Sequence, residues 1–253
     1  MAQQATSRPV RTARLGRVVA ARPSTVSAVA LLLPGGHETS ARKPSPFAAA
    51  AIRSLGRHLA RAGQADGLAA HVVHYRVGGW NGAEAQLARD AEWAADEVVR
   101  RYGDVPVCLV GVDMGGRAAL RAAAHTAVNS VLALAPWLPE DDVAAPPEPV
   151  KQLVGRQVMI VHGTNDERTD PELSFRLAER AKKANRDVCR FEVHSDGHRL
   201  SQHHAEVRAL AANFVRGVLF GERFARPVED ALAAPPPLGL RMPLASGFGK
   251  TLR

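Results

Sequence analysis

Cys108-Leu109-Val110-Gly111-Val112-Asp113-Met114-Gly115-Gly116 is the segment that decides the fold of this chain. Its apolar first half is typical of a buried strand, and a helix-like segment, residues 115–125, follows at once. The spacing Gly111-x-Asp113-x-Gly115 predicts a turn so tight that the outer positions need almost no side chain. We therefore expect Asp113 to have a strained backbone and to project its carboxylate into a cleft.

Strand-like and helix-like segments alternate on both sides of this turn. Strands are predicted at residues 26–33, 69–77, 105–112, 130–135, 157–162 and 188–193. Helices are predicted at residues 46–63, 81–102, 115–125, 171–184 and 204–220, with Asn81 as the cap of the second helix. This alternation predicts the α/β class, with a mainly parallel central sheet and helices on both faces.

The 253 residues are enough for one large domain with a substantial core. We expect a basic arm with a first strand in residues 1–25 and the α/β body in residues 26–220. Residues 221–253 are rich in proline and glycine and lack periodicity, so they are predicted to form an extended or disordered tail.

The net charge of +8 is concentrated at the two ends of the chain. Residues 1–37 contain five arginines and no acid, and residues 223–253 contain five bases and two acids, which leaves residues 38–222 neutral. A neutral body argues against a DNA-reading face, and we expect no specific nucleic-acid partner.

Apolar runs and cysteines exclude further classes of protein. The longest obvious apolar run, residues 28–33, stops at Pro34, so no membrane span is predicted. It leads directly into a Gly-Gly turn and therefore reads as a core strand of a cytoplasmic protein, not as a targeting peptide. Cys108 and Cys189 lie in strand-like runs and are too few for a disulfide framework or a cysteine-based zinc site. We expect no cofactor and no metal.

Side chains that can carry chemistry follow the predicted strands at their carboxyl ends, where open parallel sheets collect functional groups. The relevant segments are Leu33-Pro34-Gly35-Gly36, Gly111-x-Asp113-x-Gly115-Gly116, His162-Gly163-x-x-Asp166 and Asp196-Gly197-His198. With these segments in this order, the chain resembles the α/β-hydrolase superfamily over residues 26–220. The segment from Tyr75-Arg76 through Gly79-Trp80-Asn81 resembles that of small actinobacterial members, and the alanine-rich composition, with arginine far above lysine, fits a GC-rich genome. The resemblance implies the α/β-hydrolase fold, and the short segment 136–156 implies that there is no cap domain.

The resemblance also implies a role for each site residue. Asp113 stands at the nucleophile position, Asp166 is the acid and His198 the base, while Gly36 and Met114 would donate the amides of an oxyanion hole. A carboxylate on the far nitrogen of an imidazole fixes its tautomer and stabilises the imidazolium. Beside these residues, the predicted substrate pocket contains His37, Trp80 and Trp137.

Several assignments remain open at the level of sequence. Glu140, Asp141 or Asp142 could supply the acid instead of Asp166. A carboxylate ahead of Pro171 could also be a helix cap, a position that Asp170 suits better than Asp166. His37 could be an ordinary loop histidine.

Asp113 departs from the usual pattern, because most members of the superfamily have serine in this turn. Haloalkane dehalogenases and related epoxide hydrolases also use aspartate, whose carboxylate attacks carbon directly and forms an ester on the enzyme. Those families usually place tryptophan where Met114 stands, and they have a cap domain. The sequence therefore predicts a hydrolase of a small organic molecule with Asp113 as nucleophile or as base for water. The alternatives are a catalytically silent descendant that binds a ligand or partner, and a lyase that uses the same cleft.

Overall fold

The protein forms an eight-stranded sheet with six α-helices, as described by a computed structural model for residues 11–20, 23–140 and 147–250. The strands are β1 (Arg14–Val18), β2 (Ala28–Leu33), β3 (Leu68–His74), β4 (Val107–Val112), β5 (Val128–Leu134), β6 (Gln157–Gly163), β7 (Val188–Val193) and β8 (Met242–Pro243). The helices are α1 (Pro46–Ala62), α2 (Gln86–Tyr102), α3 (Met114–Arg121), α4 (Pro171–Ala184), α5 (His204–Phe220) and α6 (Arg226–Ala233).

The strands lie in the order β1-β3-β2-β4-β5-β6-β7-β8. Among the described strands only β1 runs antiparallel, against β3, and the neighbours β2 to β8 all pair in parallel. Parallel strands joined by helices require both faces of the sheet to be covered. The order and direction of the strands confirm the predicted α/β-hydrolase fold with its mainly parallel sheet.

Each face of the sheet has its own core, because successive side chains of a strand point to opposite faces. In β2, Leu31 and Leu33 contribute to the core under α2, α3 and α4, whereas Leu32 contributes to the core under α1, α5 and α6. All six residues of β2 are fully buried, as expected for a central strand. Cys108 and Cys189 are buried in β4 and β7 as free thiols, which confirms their predicted structural place.

The tail differs from the prediction of an extended or disordered segment. Residues 226–233 form α6, whose Val228 is completely buried, and Leu240 is completely buried beyond it. Met242 then pairs with Phe191 of β7, which adds a short parallel strand to the sheet. The prediction was wrong for residues 226–243, because an eight-residue helix flanked by prolines is too short to show a clear period in the sequence.

Two other expectations concern the start of the second helix and the segment 136–156. The second helix begins at Gln86 and not at Asn81, whose backbone is left-handed with φ of 61°. The Asn81 side chain accepts a hydrogen bond from Ser40 N–H and donates one to Gln86, so it joins two loops instead of capping a helix. Within segment 136–156, the described residues form a single turn of 3-10 helix, Lys151–Leu153, whereas Asp141 and Asp142 lie outside the described residues.

No helix in the described ranges is long and apolar enough to cross a membrane.

Candidate active site

Asp113 occupies a strained turn between β4 and α3. Its φ of 53° and ψ of −126° lie where residues other than glycine are rarely found. A Cβ on Gly111 would collide with the backbone of Gly115, and a Cβ on Gly115 would collide with the backbone of Leu33, which explains the two glycines of the motif. Backbone hydrogen bonds hold the turn, because Asp113 N–H donates to Leu134 and Trp137 N–H donates to Asp113, each at 3.1 Å.

His198 lies between the carboxylates of Asp113 and Asp166. Its Nε2 is 3.8 Å from Oδ1 of Asp113, and its Nδ1 is 2.9 Å from Oδ2 of Asp166. The loops that follow β4, β6 and β7 thus bring these three side chains to one edge of the sheet. The separation of 3.8 Å between His198 and Asp113 is too long for a hydrogen bond, whereas the separation of 2.9 Å between His198 and Asp166 is that of a hydrogen bond.

Asp166 is fixed by more hydrogen bonds than its contact with His198. Its Oδ1 accepts from the backbone N–H groups of Arg168 and Thr169, at 2.9 and 3.0 Å. Its Oδ2 accepts from the Thr169 hydroxyl at 2.7 Å and lies 3.1 Å from Nε2 of His162. Burial opposes the charge of Asp166, yet the hydrogen bonds from His162, Thr169 and His198 outweigh it and lower the pKa of the carboxyl well below its ordinary value.

Asp113 has a different electrostatic environment. Burial raises the pKa of its carboxyl above the ordinary value, while Arg168, His198 and the Met114 N–H act in the opposite direction. Nη2 of Arg168 lies 3.3 Å from Oδ2 of Asp113, so the carboxylate has a cation on one oxygen and an imidazole beside the other. The Asp113 side chain is only 12% exposed, which leaves it little contact with water.

The loop after β2 passes close to the carboxylate. A Cβ on Gly35 would come within 2.9 Å of Oδ2 of Asp113, and a Cβ on Gly36 would lie 3.7 Å from Cβ of Met114. The loop is anchored by hydrogen bonds from His37 N–H to Gly78 and from Trp80 N–H to His37, at 2.8 and 2.9 Å. Gly36 and Met114 are therefore neighbours beside the turn that holds Asp113.

A cavity of about 710 Å³ opens over Asp113. Its walls combine glycine backbone from the loop after β2 with apolar side chains from α1, β5, α5 and the loop before α5: Ala48, Ala51, Ile52, Leu55, Leu134, Leu200 and Val207. His37 also lines this cavity. A cavity of this size is typical of sites for small organic ligands.

Trp80 and Trp137 do not line the cavity, so their prediction as pocket walls was wrong. The guanidinium of Arg117 lies 3.9 Å from the ring centroid of Trp80 and 5.3 Å from that of Trp137. Glu148 in turn binds Arg117, at 2.8 Å. Both tryptophans therefore pack against the buried ion pair of Arg117 and Glu148 and not against the cavity. The sequence does not show in which direction an aromatic side chain at the end of a strand points.

The remaining acidic candidates have other surroundings. Asp170 caps α4, because its Oδ1 accepts a hydrogen bond from Glu172 N–H at 2.8 Å. Glu140 is exposed and does not line the cavity. In residues 11–20, 23–140 and 147–250, no three histidine, cysteine or carboxylate side chains are grouped as a metal site.

The sequence assigned no role to His162, although it is part of a quoted segment, and it did not point to Arg168 or Thr169. All three lie at the end of β6 or in the loop after it, and each contacts Asp166 or Asp113. The sequence signal was their proximity to Asp166, which predicts a shared loop but not which side chains point to the site.

No protein-family model and no curated protein sequence matches this chain. Solved structures do match it in three dimensions. The esterase Pf2001 of Pyrococcus furiosus has a TM-score of 0.61 at 15% identity, covering 77% of this chain and 84% of its own. An alpha-beta serine hydrolase homologue from Coxiella burnetii has a TM-score of 0.55 at 16% identity, covering 82% of this chain and 93% of its own. MGS-M1, an alpha/beta hydrolase from a Medee basin deep-sea metagenome library, has a TM-score of 0.58 at 21% identity, covering 78% and 86%. At these identities the likeness shows the α/β-hydrolase fold.

Proposed function

We propose that this protein is a hydrolase that acts on a small organic molecule through Asp113, His198 and Asp166. One observation carries the proposal: Asp113, on a strained turn beneath a cavity, lies 3.8 Å from an imidazole whose other nitrogen lies 2.9 Å from a buried carboxylate. This order of carboxylate, imidazole and carboxylate suits covalent catalysis followed by activation of water.

In the first step, an oxygen of Asp113 attacks a carbon that has a leaving group or belongs to a strained ring. The new C–O bond forms an ester on Asp113, and the electron pair of the broken bond leaves with a halide or with the opened ring oxygen. In the second step His198 takes a proton from water, and the hydroxide adds to the ester carbonyl of Asp113. Collapse expels the substrate oxygen, which takes the hydroxyl proton of the tetrahedral intermediate and leaves as an alcohol, so that the Asp113 carboxylate is restored. His198 then returns its proton to the solvent, which has already protonated the ring-opened oxygen when the substrate is an epoxide.

An ordinary ester is a poor substrate for such a site. Attack of the Asp113 carboxylate on an acyl carbon would form an anhydride, and the departing alkoxide readily reverses that step. Attack on alkyl carbon forms a stable ester instead, and because the Asp113 side chain is only 12% exposed, its carboxylate loses little hydration when it reacts. This contrast favours substrates with alkyl leaving groups or epoxide-like rings over carboxylic esters.

Gly36 and Met114 are proposed to stabilise the second step. Hydroxide addition places negative charge on the carbonyl oxygen of the Asp113 ester. The loop of Gly36 and the first turn of α3 at Met114 lie beside that carboxylate, and backbone amides there suit an oxyanion.

Intact-mass measurement after exposure to a panel of epoxides and haloalkanes tests the proposal. The variant His198→Ala should accumulate substrate on Asp113, because it retains the nucleophile and lacks the base for water. Asp113→Ala should show no adduct. His194→Ala is the matched control, since this exposed histidine lies four residues earlier and does not line the cavity. It should turn over substrate like the wild type and accumulate nothing.

The ion pair between Arg168 and Asp113 favours a second candidate, ligand binding without turnover. A carboxylate neutralised by a guanidinium at 3.3 Å is a weaker nucleophile than a free one. The adduct experiment separates the two functions. Absence of an adduct across the panel, together with binding of an anionic ligand that is lost when Arg168 is replaced, would favour the silent binder.

A further inference from the structure

We propose that the cavity takes substrates whose reacting carbon is directly attached to a carboxylate, and that Arg168 binds this carboxylate. The proposal deepens the proposed function and rests on it. It names 2-substituted organic acids, such as 2-haloalkanoates and epoxy acids, as the substrate class.

The charges around the cavity favour an anionic ligand. Among the described residues one acid lines it, and this acid is the proposed nucleophile, Asp113. Six lining residues are arginine or histidine: His37, Arg168, His198, Arg199, His204 and Arg208. An apolar wall with basic groups around one carboxylate suits a short aliphatic acid.

Arg168 is placed to exchange one carboxylate for another. Its backbone N–H donates to Asp166 at 2.9 Å, so the base of its side chain is fixed beside the catalytic histidine. Its side chain is nevertheless 58% exposed, and its guanidinium reaches Oδ2 of Asp113 at 3.3 Å. One Nη2 contact leaves the remaining N–H donors of the guanidinium available to a ligand, since arginine has five in a fork that matches a carboxylate.

The distances suit a carboxylate next to the reacting carbon. A carbon in position for attack lies about 3–3.5 Å from the attacking oxygen. Arg168 contacts the other oxygen of the same Asp113 carboxylate at 3.3 Å, so a substrate carboxylate attached directly to that carbon comes within reach of its guanidinium.

Binding in this manner also activates Asp113. A substrate carboxylate beside the Asp113 carboxylate is repelled unless a cation neutralises one of them. When Arg168 turns to the substrate, it removes this repulsion and releases Oδ2 of Asp113 from its ion pair. Turnover of a 2-haloalkanoate then consumes one water and yields the 2-hydroxyalkanoate, halide and a proton.

Matched substrate pairs test the assignment. We compare kcat/KM for 2-bromobutanoate against 2-bromobutanamide, and for glycidate against glycidamide, since each pair differs only in the charge of one group. The wild type should prefer the acids. Arg168→Gln should reduce that preference about 10- to 100-fold, the effect of one charged hydrogen-bonding partner. Arg168→Lys should recover part of the preference, because it restores the charge without the fork.

Arg226→Gln provides the control for loss of a positive charge. Arg226 is 89% exposed on α6 and does not line the cavity, so its replacement should leave the preference unchanged. Equal rates for acids and amides in the wild type, or an unchanged preference in Arg168→Gln, would overturn the assignment of Arg168 and leave the proposed hydrolase intact.

A binding measurement separates the two proposals when no substrate is turned over. Calorimetric titration with butanoate and with butanamide reports recognition without chemistry. Butanoate binding that is lost in Arg168→Gln would support the carboxylate site although the proposed reaction had failed. Equal binding of butanoate and butanamide would overturn it.

Discussion

The buried ion pair between Arg117 of α3 and Glu148 allows a sharp test of how α3 is held. Glu148 accepts hydrogen bonds from Arg117 at 2.9 Å and from Arg121 at 2.7 Å. The side chains of Glu148 and Arg117 are 3% and 10% exposed, whereas that of Arg121 is 34% exposed. We predict that Glu148→Gln strongly destabilises the protein, because it leaves the charge of Arg117 buried without a counterion.

The magnitude follows from the burial of Arg117. Removal of one partner from a buried ion pair costs about 3–5 kcal/mol. Glutamine keeps one acceptor oxygen, and the partly exposed Arg121 can bind water instead of the lost carboxylate oxygen. We therefore expect a loss at the lower end of this range, about 3 kcal/mol. For a chain of this size, each kcal/mol corresponds to about 2–4 °C in Tm. The expected decrease in Tm is therefore about 6–12 °C.

Glu97→Gln is a matched control. Glu97 also binds two arginines, Arg100 and Arg101, but their side chains are 59% and 41% exposed on the surface of α2. Exposed ion pairs contribute about 0–1 kcal/mol to stability, so the free energy of unfolding of Glu97→Gln should decrease by no more than about 1 kcal/mol. Urea titrations and thermal unfolding followed by circular dichroism measure both variants.

Two results would refute this reasoning about Glu148. One is a loss of less than about 1 kcal/mol in Glu148→Gln, and the other is an equal loss in both glutamine variants. Glu148→Leu combined with Arg117→Met provides a further check. The double variant should be more stable than Glu148→Leu alone, because apolar side chains can replace a buried ion pair without the desolvation of charges.

Three further predictions concern the turn that holds Asp113, the carboxylate of Asp166 and the C-terminal segment that contains Leu240. Asp113→Ser should hydrolyse p-nitrophenyl acetate about 10²–10⁴-fold faster than Asp113→Ser/His198→Ala, because the double variant lacks the general base for the serine. Equal initial rates in the two variants would contradict a site prepared for acyl transfer. Asp166→Asn should lower the free energy of unfolding fully near pH 7 and progressively less as the pH falls below about 4. The reason is that the stabilisation from a depressed carboxyl pKa is present above the unfolded pKa and is lost as the pH falls through the folded pKa. Urea titrations across this range measure the difference. Leu240 is fully buried, so Leu240→Ala should lower the free energy of unfolding in urea by about 2–5 kcal/mol. Leu238 is 68% exposed, so Leu238→Ala should lower it by less than about 0.5 kcal/mol. Similar losses in the two variants would contradict a packed C-terminal segment.

Much of the fold could be predicted because the proline and glycine residues that end helices and the periodicity of apolar residues indicate the same element bounds in the sequence. The strand 188–193 and the helices 171–184 and 204–220 have the predicted bounds in the structure. Proline begins the helix 171–184, and Gly221 ends the helix 204–220 in the left-handed region, so local chemistry and packing favour the same limits. Where these signals conflict, as around Asn81, the predicted bound was wrong.

The position of Asp113, Asp166 and His198 could also be predicted, since parallel strands deliver the loops at their carboxyl ends to one edge. The contact of Arg168 with Asp113 could not be predicted, because a charged residue in a polar loop is typical of a solvated surface. Only the tertiary placement of that loop over β4 brings its guanidinium to Asp113. The roles of these side chains remain predictions until the variants are measured.

Asp166 and His198 do not bear equally on whether the site is catalytic. Asp166 accepts from two backbone N–H groups and the Thr169 hydroxyl and contacts His162, whose side chain is completely buried. Its loss would leave buried polar groups unpaired whether or not the protein turns over a substrate, so structure alone is a sufficient reason for its presence. His198 is 18% exposed, and its Nε2 faces the Asp113 carboxylate at 3.8 Å. This separation is too long for a hydrogen bond that would hold the fold together, so His198, more than Asp166, is the residue that supports the proposed chemistry at Asp113.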